Sequence, residues 1–195
     1  MFILKKSMNS LIKYPAARFR KLPERLIYKT KTDYYGTPVD KFIMFSTEKN
    51  SKMKATMKCF PEIIERDGRA NVPSLYIWQL MSNCSGNGFG TDLLNFAKQY
   101  SKRIGCGGRF HLSADTAFTP RRIPHIFYKK YGMNTKSYAV NNKLDSFIKK
   151  GKTATWQDFD NIDMYYPPIK FKEDGISGLL HKLFKFGQNI LQGNE

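Results

Sequence analysis

Apolar positions alternate two by two along the first half of the chain and fall at helical spacing just past its middle. A period of two marks strands with one buried face, and a period of 3.6 marks an amphipathic helix. Leu26–Thr30, the run K-F-I-M-F at Lys41–Phe45, Lys54–Phe60 and Leu75–Met81 read as four strands. Pro61 is expected to end the third, because proline cannot donate to a ladder. A polar loop at Glu48–Ser51 and a turn at Asp67-Gly68 separate neighbouring strands. The simplest topology is an antiparallel meander feeding one central strand.

The helical spacing begins at Thr91 and runs to Ile104, with Leu93, Phe96 or Ala97, Tyr100 and Ile104 on one face. Asp92 in its first turn and Lys98, Lys102 and Arg103 toward its end suit the macrodipole. Gly105 is a natural stop. Arg109–Ala114 alternates as another strand, and either Thr119-Pro120 or Pro124 opens a helix that closes at Tyr131 and Gly132. Tyr138–Val140 and Met164–Tyr166 read as further strands, the second closed by Pro167-Pro168. In the tail, Ile176, Leu179, Leu180, Leu183, Phe184, Ile190 and Leu191 form one stripe, weakened by Gly178 and Gly187. Such a stripe docks on its own domain or on a second subunit, which allows a homodimer; an anionic membrane surface is the remaining use.

A chain of 195 residues with 41% hydrophobic and 14% aromatic content is expected to build one α/β domain with a real core, plus appendages. The expected divisions are a basic arm at 1–23, a folded domain at 24–170 and a C-terminal amphipathic helix at 171–195. The arm holds six Lys or Arg and no acid. Three scattered cysteines without C-x-x-C spacing argue against a disulfide framework or a metal cluster, and for a reducing compartment. No apolar run has the length of a membrane span, so a soluble cytoplasmic protein is expected. A net charge of +17 favours anionic partners: a CoA-type cofactor, nucleic acid, acidic lipid or acidic protein. The basic residues are spread along the chain with no nucleic-acid motif, which ranks nucleic acid below the cofactor.

The most informative segment is S-G-N-G-F-G-T, Ser85–Thr91, between the fourth strand and the helix. Alternate glycines let the backbone approach a ligand without Cβ clashes. Its amides, with the start of the following helix, suit phosphate charge. About 40 residues on comes I-F-Y-K-K-Y-G-M, Ile126–Met133. In this order, separated by a helix and then a strand, the two motifs resemble the GNAT (GCN-type N-acetyltransferase) superfamily. There the loop pattern is [Q/R]-x-x-G-x-[G/A] and the later one F-Y-x-K-x-G-F. Gly88 and Gly90 fall on the loop glycines, and Phe127, Tyr128, Lys130 and Gly132 on the second motif.

The resemblance covers about Leu75 to Met133 and implies a GNAT-like mixed, mostly antiparallel central sheet flanked by helices. It implies acetyl-CoA as cosubstrate and an amine as acceptor. The pantetheine would pair with backbone of Leu80, Met81 and Ser82, and the diphosphate would lie on amides of Ser85, Gly86, Asn87, Gly88, Phe89, Gly90 and Thr91. Tyr128 falls on the family tyrosine credited with protonating the departing thiolate. The sequence departs from the pattern at Ser85, where Gln or Arg is usual, at Arg121 and at Met133. Leu75–Met81 also lacks the frequent catalytic glutamate, leaving Glu62, Glu65, His111, His125 or water as the base.

Three other readings compete. A dinucleotide fingerprint would use Gly86, Gly88 and Asp115, yet Thr91 occupies its third glycine position. A Walker loop is excluded because no G-K-[S/T] follows. A noncatalytic basic protein on a degenerate scaffold of the same type would explain Ser85 and the missing strand carboxylate. Cys84, beside the loop, has no sequence-placed partner and reads as a small buried thiol.

Overall fold

The computed structural model describes residues 10–14, 25–46, 53–83, 86–115 and 123–170. The expected loop at Glu48–Ser51, Cys84, Ser85, Thr119-Pro120, Arg121 and the stripe Ile176–Leu191 lie outside the described residues. Strands β1 (Ser10–Tyr14), β2 (Arg25–Tyr34), β3 (Thr37–Ser46), β4 (Met53–Arg66) and β5 (Arg69–Ser82) come first. Then follow α1 (Phe89–Arg103), β6 (Phe110–Ala114), α2 (His125–Tyr131), α3 (Tyr138–Lys149) and β7 (Ile162–Tyr166). Among the described residues the seven strands make one sheet in chain order, and only the pair β5–β6 is parallel. The expected meander therefore runs through five strands, beginning inside the basic arm, where Ser10–Tyr14 pairs with β2. Antiparallel strands on both sides of β5–β6 exclude the doubly wound parallel sheet of a dinucleotide-binding fold.

The first strands are longer than the sequence suggests, because charged ends such as Lys31-Thr32-Asp33 continue the ladder outside the buried region. Tyr35-Gly36 closes the β2–β3 hairpin and Asp67-Gly68 the β4–β5 hairpin, every one of the four at positive φ. Two consecutive left-handed residues match the twist of the flanking strands. Asp67-Gly68 is a familiar signal of this turn; Tyr35-Gly36 is not, and the sequence reading missed it.

Pro61 does not end β4. The Leu75 amide donates to the Arg109 carbonyl at 3.1 Å, so Leu75 directs its main chain toward β6. Its partner Pro61 then belongs to a pair without mutual hydrogen bonds, with its nitrogen facing away from β5. On that side β3 has already run out, its last pair being Asp40 with Cys59. The missing donor therefore costs no ladder bond.

Helix α1 covers the sheet through Leu93, Leu94, Phe96 and Ala97 against Ile27, Phe42, Met44, Met57, Leu75 and Ile77, all fully or nearly fully buried. Phe42 meets Phe96 and Tyr100 edge-on at 4.8 and 4.9 Å between ring centres. The C-terminal half of α1 is tied down by Lys29, whose ammonium lies 2.9 Å from the Tyr100 hydroxyl and 3.1 Å from Asp40. Tyr100 in turn donates to Asp40, and burial, with that carboxylate, pushes its phenol up to about 12. Tyr131 of α2 joins α1 and the sheet: its hydroxyl donates to Asn95 Oδ1 of α1 at 3.0 Å while its ring is tilted against Phe110. Helices α1 and α2 therefore share one face of the sheet.

Tyr138–Val140 is the first turn of α3 and not a strand. Ser137 caps that helix by accepting from the Val140 amide at 3.3 Å, and Leu144 buries its apolar side. An N-cap followed by a buried stripe outweighs the β-propensity of three residues.

Candidate functional site

Strand β5 carries the site. It pairs with β4 along nearly its whole length but with β6 only at Leu75–Phe110 and Tyr76–His111. Beyond Tyr76, among the described residues, β5 has a neighbour on one side alone, while β6 turns to β7. The cause is visible in the register: Lys58 pairs with Gln79 and Cys59 with Ile77, so Trp78 is an extra residue, a bulge at the fork. Bulges bend and twist the strand that carries them. The two parallel strands part there, and main-chain groups of Ile77–Ser82 that would have met β6 face the opening.

Leu80, Met81 and Ser82, the residues expected to pair with pantetheine, stand on the stretch of β5 that pairs with β4 beyond the last β6 pair; Leu80 is half-buried, the other two exposed. Four and six residues past the end of the strand, Gly86 and Gly88 take φ of 82° and 76°. Gly88 is the N-cap of α1 and, being glycine, makes no side-chain cap bond. The loop thus brings backbone that lacks Cβ atoms at Gly86 and Gly88 to the positive end of a helix. This geometry fits the diphosphate of a coenzyme, and of the expected cradle only Ser85 lies outside the described residues.

Gly90 serves a different end. It has ordinary helical φ, and a Cβ placed there would sit 3.1 Å from the Phe127 ring. The third glycine therefore lets α2 rest on the first turn of α1, which brings the two sequence motifs into contact. Tyr128, next along α2, is buried with only 7% exposure. Burial pushes its phenol far above the ordinary tyrosine range, so it is held neutral and protonated.

The candidate bases separate clearly. Glu65 falls on the face of β4 opposite Glu62 by strand alternation. His125 is fully buried at the start of α2, with Nε2 donating to the Asp160 carbonyl at 2.9 Å and its ring stacked on Phe159. Its buried Nδ1 has no hydrogen-bond partner among the described residues. His111 occupies the last paired position itself. Its Nδ1 lies 2.9 Å from the Ser74 hydroxyl and its Nε2 3.1 Å from Glu62. Tyr165 stacks on one side of the imidazole at 5.8 Å, and Tyr76 lies tilted against it at 5.1 Å. Sequence reasoning named Glu62 and His111 separately, offered Tyr165 only as one of several aromatics that could line a groove or pack in the core, and missed Ser74. No local motif links four residues from four strands.

Both histidines are pushed below the usual imidazole range. Burial is the main cause at each; Glu62 and Asp163 oppose it at His111, where Arg66 adds to it, and the Asp160 carbonyl and Asp115 oppose it at His125. The native state thus takes up these two protons less readily than the unfolded chain, whose histidines titrate near about 6.5. Stability from this source is complete above that pH and is lost as pH falls through the native values. Urea midpoints should therefore drop between about pH 7 and pH 5. A midpoint unchanged over that interval would contradict the burial of both imidazoles.

A mixed sheet with one parallel pair, parted at a bulge and followed directly by a glycine loop and helix, is a GNAT-like fold. No protein-family model matches the sequence, and no curated protein sequence does either. Among solved structures the chain is similar to one described as the KacTA–DNA complex, at 15% identity over 75% of this chain and 73% of that one, with a TM-score of 0.34. It is also similar to a tyrosine-to-phenylalanine mutant of the AtaT toxin, bound to the C-terminus of the antitoxin AtaR and acetyl-CoA. That likeness is 15% identical over 56% of this chain and 72% of the other, with a TM-score of 0.38. Among the described residues no helix is long and apolar enough to cross a membrane, and no group of His, Cys, Asp and Glu is arranged to hold a metal ion.

Proposed function

We propose that the protein is an acetyl-CoA-dependent N-acetyltransferase that passes an acetyl group to an amine by direct attack. The observation that carries this reading is the parting of β5 from β6 at the Trp78 bulge, immediately upstream of the glycine turn. In this reading the amides of Gly86, Asn87, Gly88, Phe89, Gly90 and Thr91, with Ser85, hold the diphosphate. The open edge at Leu80, Met81 and Ser82 holds the pantetheine as an added half-strand. A main-chain amide near Met81 supplies the donor for negative charge developing on the carbonyl oxygen. The thioester, when bound, supplies the activated acetyl group.

Tyr128 donates the proton that the leaving sulfur needs. Its raised affinity for that proton does not disqualify it, because a thiolate formed in the same buried surroundings is raised as well. The test is calorimetry with acetyl-CoA, followed by thiol release in the presence of a panel of primary amines. Saturable binding and amine-dependent release are expected. A protein that binds neither acetyl-CoA nor free CoA is not an acetyltransferase of this kind.

A further inference from the structure

The strand that leads into the glycine loop carries no carboxylate from Leu75 to Met81. The sheet provides one from the neighbouring strand. On the face away from α1, the closed end of the fork presents Glu62 of β4, Ser74 of β5 and His111 of β6 in one hydrogen-bonded row. Ser74 is completely buried, which excludes it as a nucleophile toward any incoming substrate. Glu62 is the outward end of the row, with 45% of its side chain exposed, against 8% for His111.

The proton positions follow from the partners. His111 is held neutral, so only one ring nitrogen bears hydrogen. A carboxylate can only accept, which places that hydrogen on Nε2 and leaves Nδ1 to accept from the Ser74 hydroxyl. Tyr165 and Tyr76, packed against the ring, restrain its rotation. One oxygen of Glu62 is thereby engaged and oriented, two positions before the last β5–β6 pair, while 45% of the side chain stays exposed.

We propose that Glu62 is the base that prepares the acceptor amine, with His111 and Ser74 as the residues that position it. This rests on the acetyltransferase reading. The acceptor ammonium gives one proton to the Glu62 carboxylate. Its nitrogen lone pair then bonds to the thioester carbonyl carbon, the carbon–sulfur bond breaks, and the second nitrogen proton is matched by one delivered to sulfur. The products are an N-acetylated amine, free CoA thiol and a protonated Glu62, which returns its proton to water. The acceptor that this site suits is a cationic amine, despite the basic balance of the whole chain. Asp163 adds a second negative charge near His111, and Arg66 a positive one.

Three variants, Glu62→Gln, His111→Gln and Ser74→Ala, test this against the wild type. The readouts are acetyl-CoA affinity by calorimetry and thiol release from acetyl-CoA across pH, with ethylamine or water as acceptor. Glu62→Gln should bind acetyl-CoA as the wild type does, release thiol at least about tenfold more slowly, and lose the acid limb of the rate profile. His111→Gln and Ser74→Ala should retain an acid limb but displace it, a change that a purely structural role would not produce. An unchanged acid limb in Glu62→Gln, or no thiol release with either acceptor, overturns the assignment. A wild-type protein that fails to bind acetyl-CoA overturns the acetyltransferase reading itself, and this assignment with it.

Discussion

Gly88→Trp is expected to weaken acetyl-CoA binding by about 100-fold or more, because several backbone donors to a charged diphosphate, each worth roughly 1.5–3 kcal/mol, are displaced together. The substitution acts twice. Gly88 sits at φ 76°, where an L side chain costs roughly 1–2 kcal/mol, and the indole would occupy the approach to the helix terminus. The strain alone is small against a domain stability of about 5–15 kcal/mol, so the variant should remain folded. Gly36→Trp is the control. Gly36 has φ 82° in an exposed hairpin turn with nothing within 4 Å of its would-be Cβ. It should show the same strain in a denaturation curve and no loss of binding. Wild-type affinity in Gly88→Trp would remove the loop from the site.

The second large effect is expected from Tyr128→Phe. Thiol release should fall by about 100-fold, the scale on which a positioned acid or base contributes, while acetyl-CoA affinity stays as it was. Loss of the ring was avoided by design in this substitution: Phe keeps the buried surface packed beneath α2 and removes only the hydroxyl. A thermal midpoint close to that of the wild type should accompany the slower turnover. If turnover is unchanged, the buried phenol serves packing and the proton reaches sulfur by another route.

Much of this was legible in the sequence, for identifiable reasons. Helix α1 announced itself by the spacing of Leu93, Phe96 and Tyr100, by its charge gradient and by Gly105, each a local cause acting within four residues. The glycines of its loop were read as room for a ligand to approach; at Gly88 the structure adds a positive φ of 76°, a property of one residue. The purpose of Gly90 was not readable, because the ring that forbids its Cβ belongs to Phe127, which arrives from another helix. Pro61 misled for the same reason: whether a missing amide matters depends on where β3 stops, which β4 does not encode. Helix α3 was taken for a strand because the tyrosine and valine at its start favour one, while the deciding contacts, the Ser137 cap and buried Leu144, act over a longer span. The row Glu62–His111–Ser74 needed three strands in register, and no one-dimensional spacing reports that.

The contact between Gly90 and Phe127 ties two tasks of the site into one mechanical unit. With no methyl group between them, the first turn of α1, next to the glycine loop, and the helix that carries Tyr128 sit in direct contact. A side chain at position 90 would require the Phe127 ring to shift by a few tenths of an ångström, so the two positions are mechanically coupled in what they can hold.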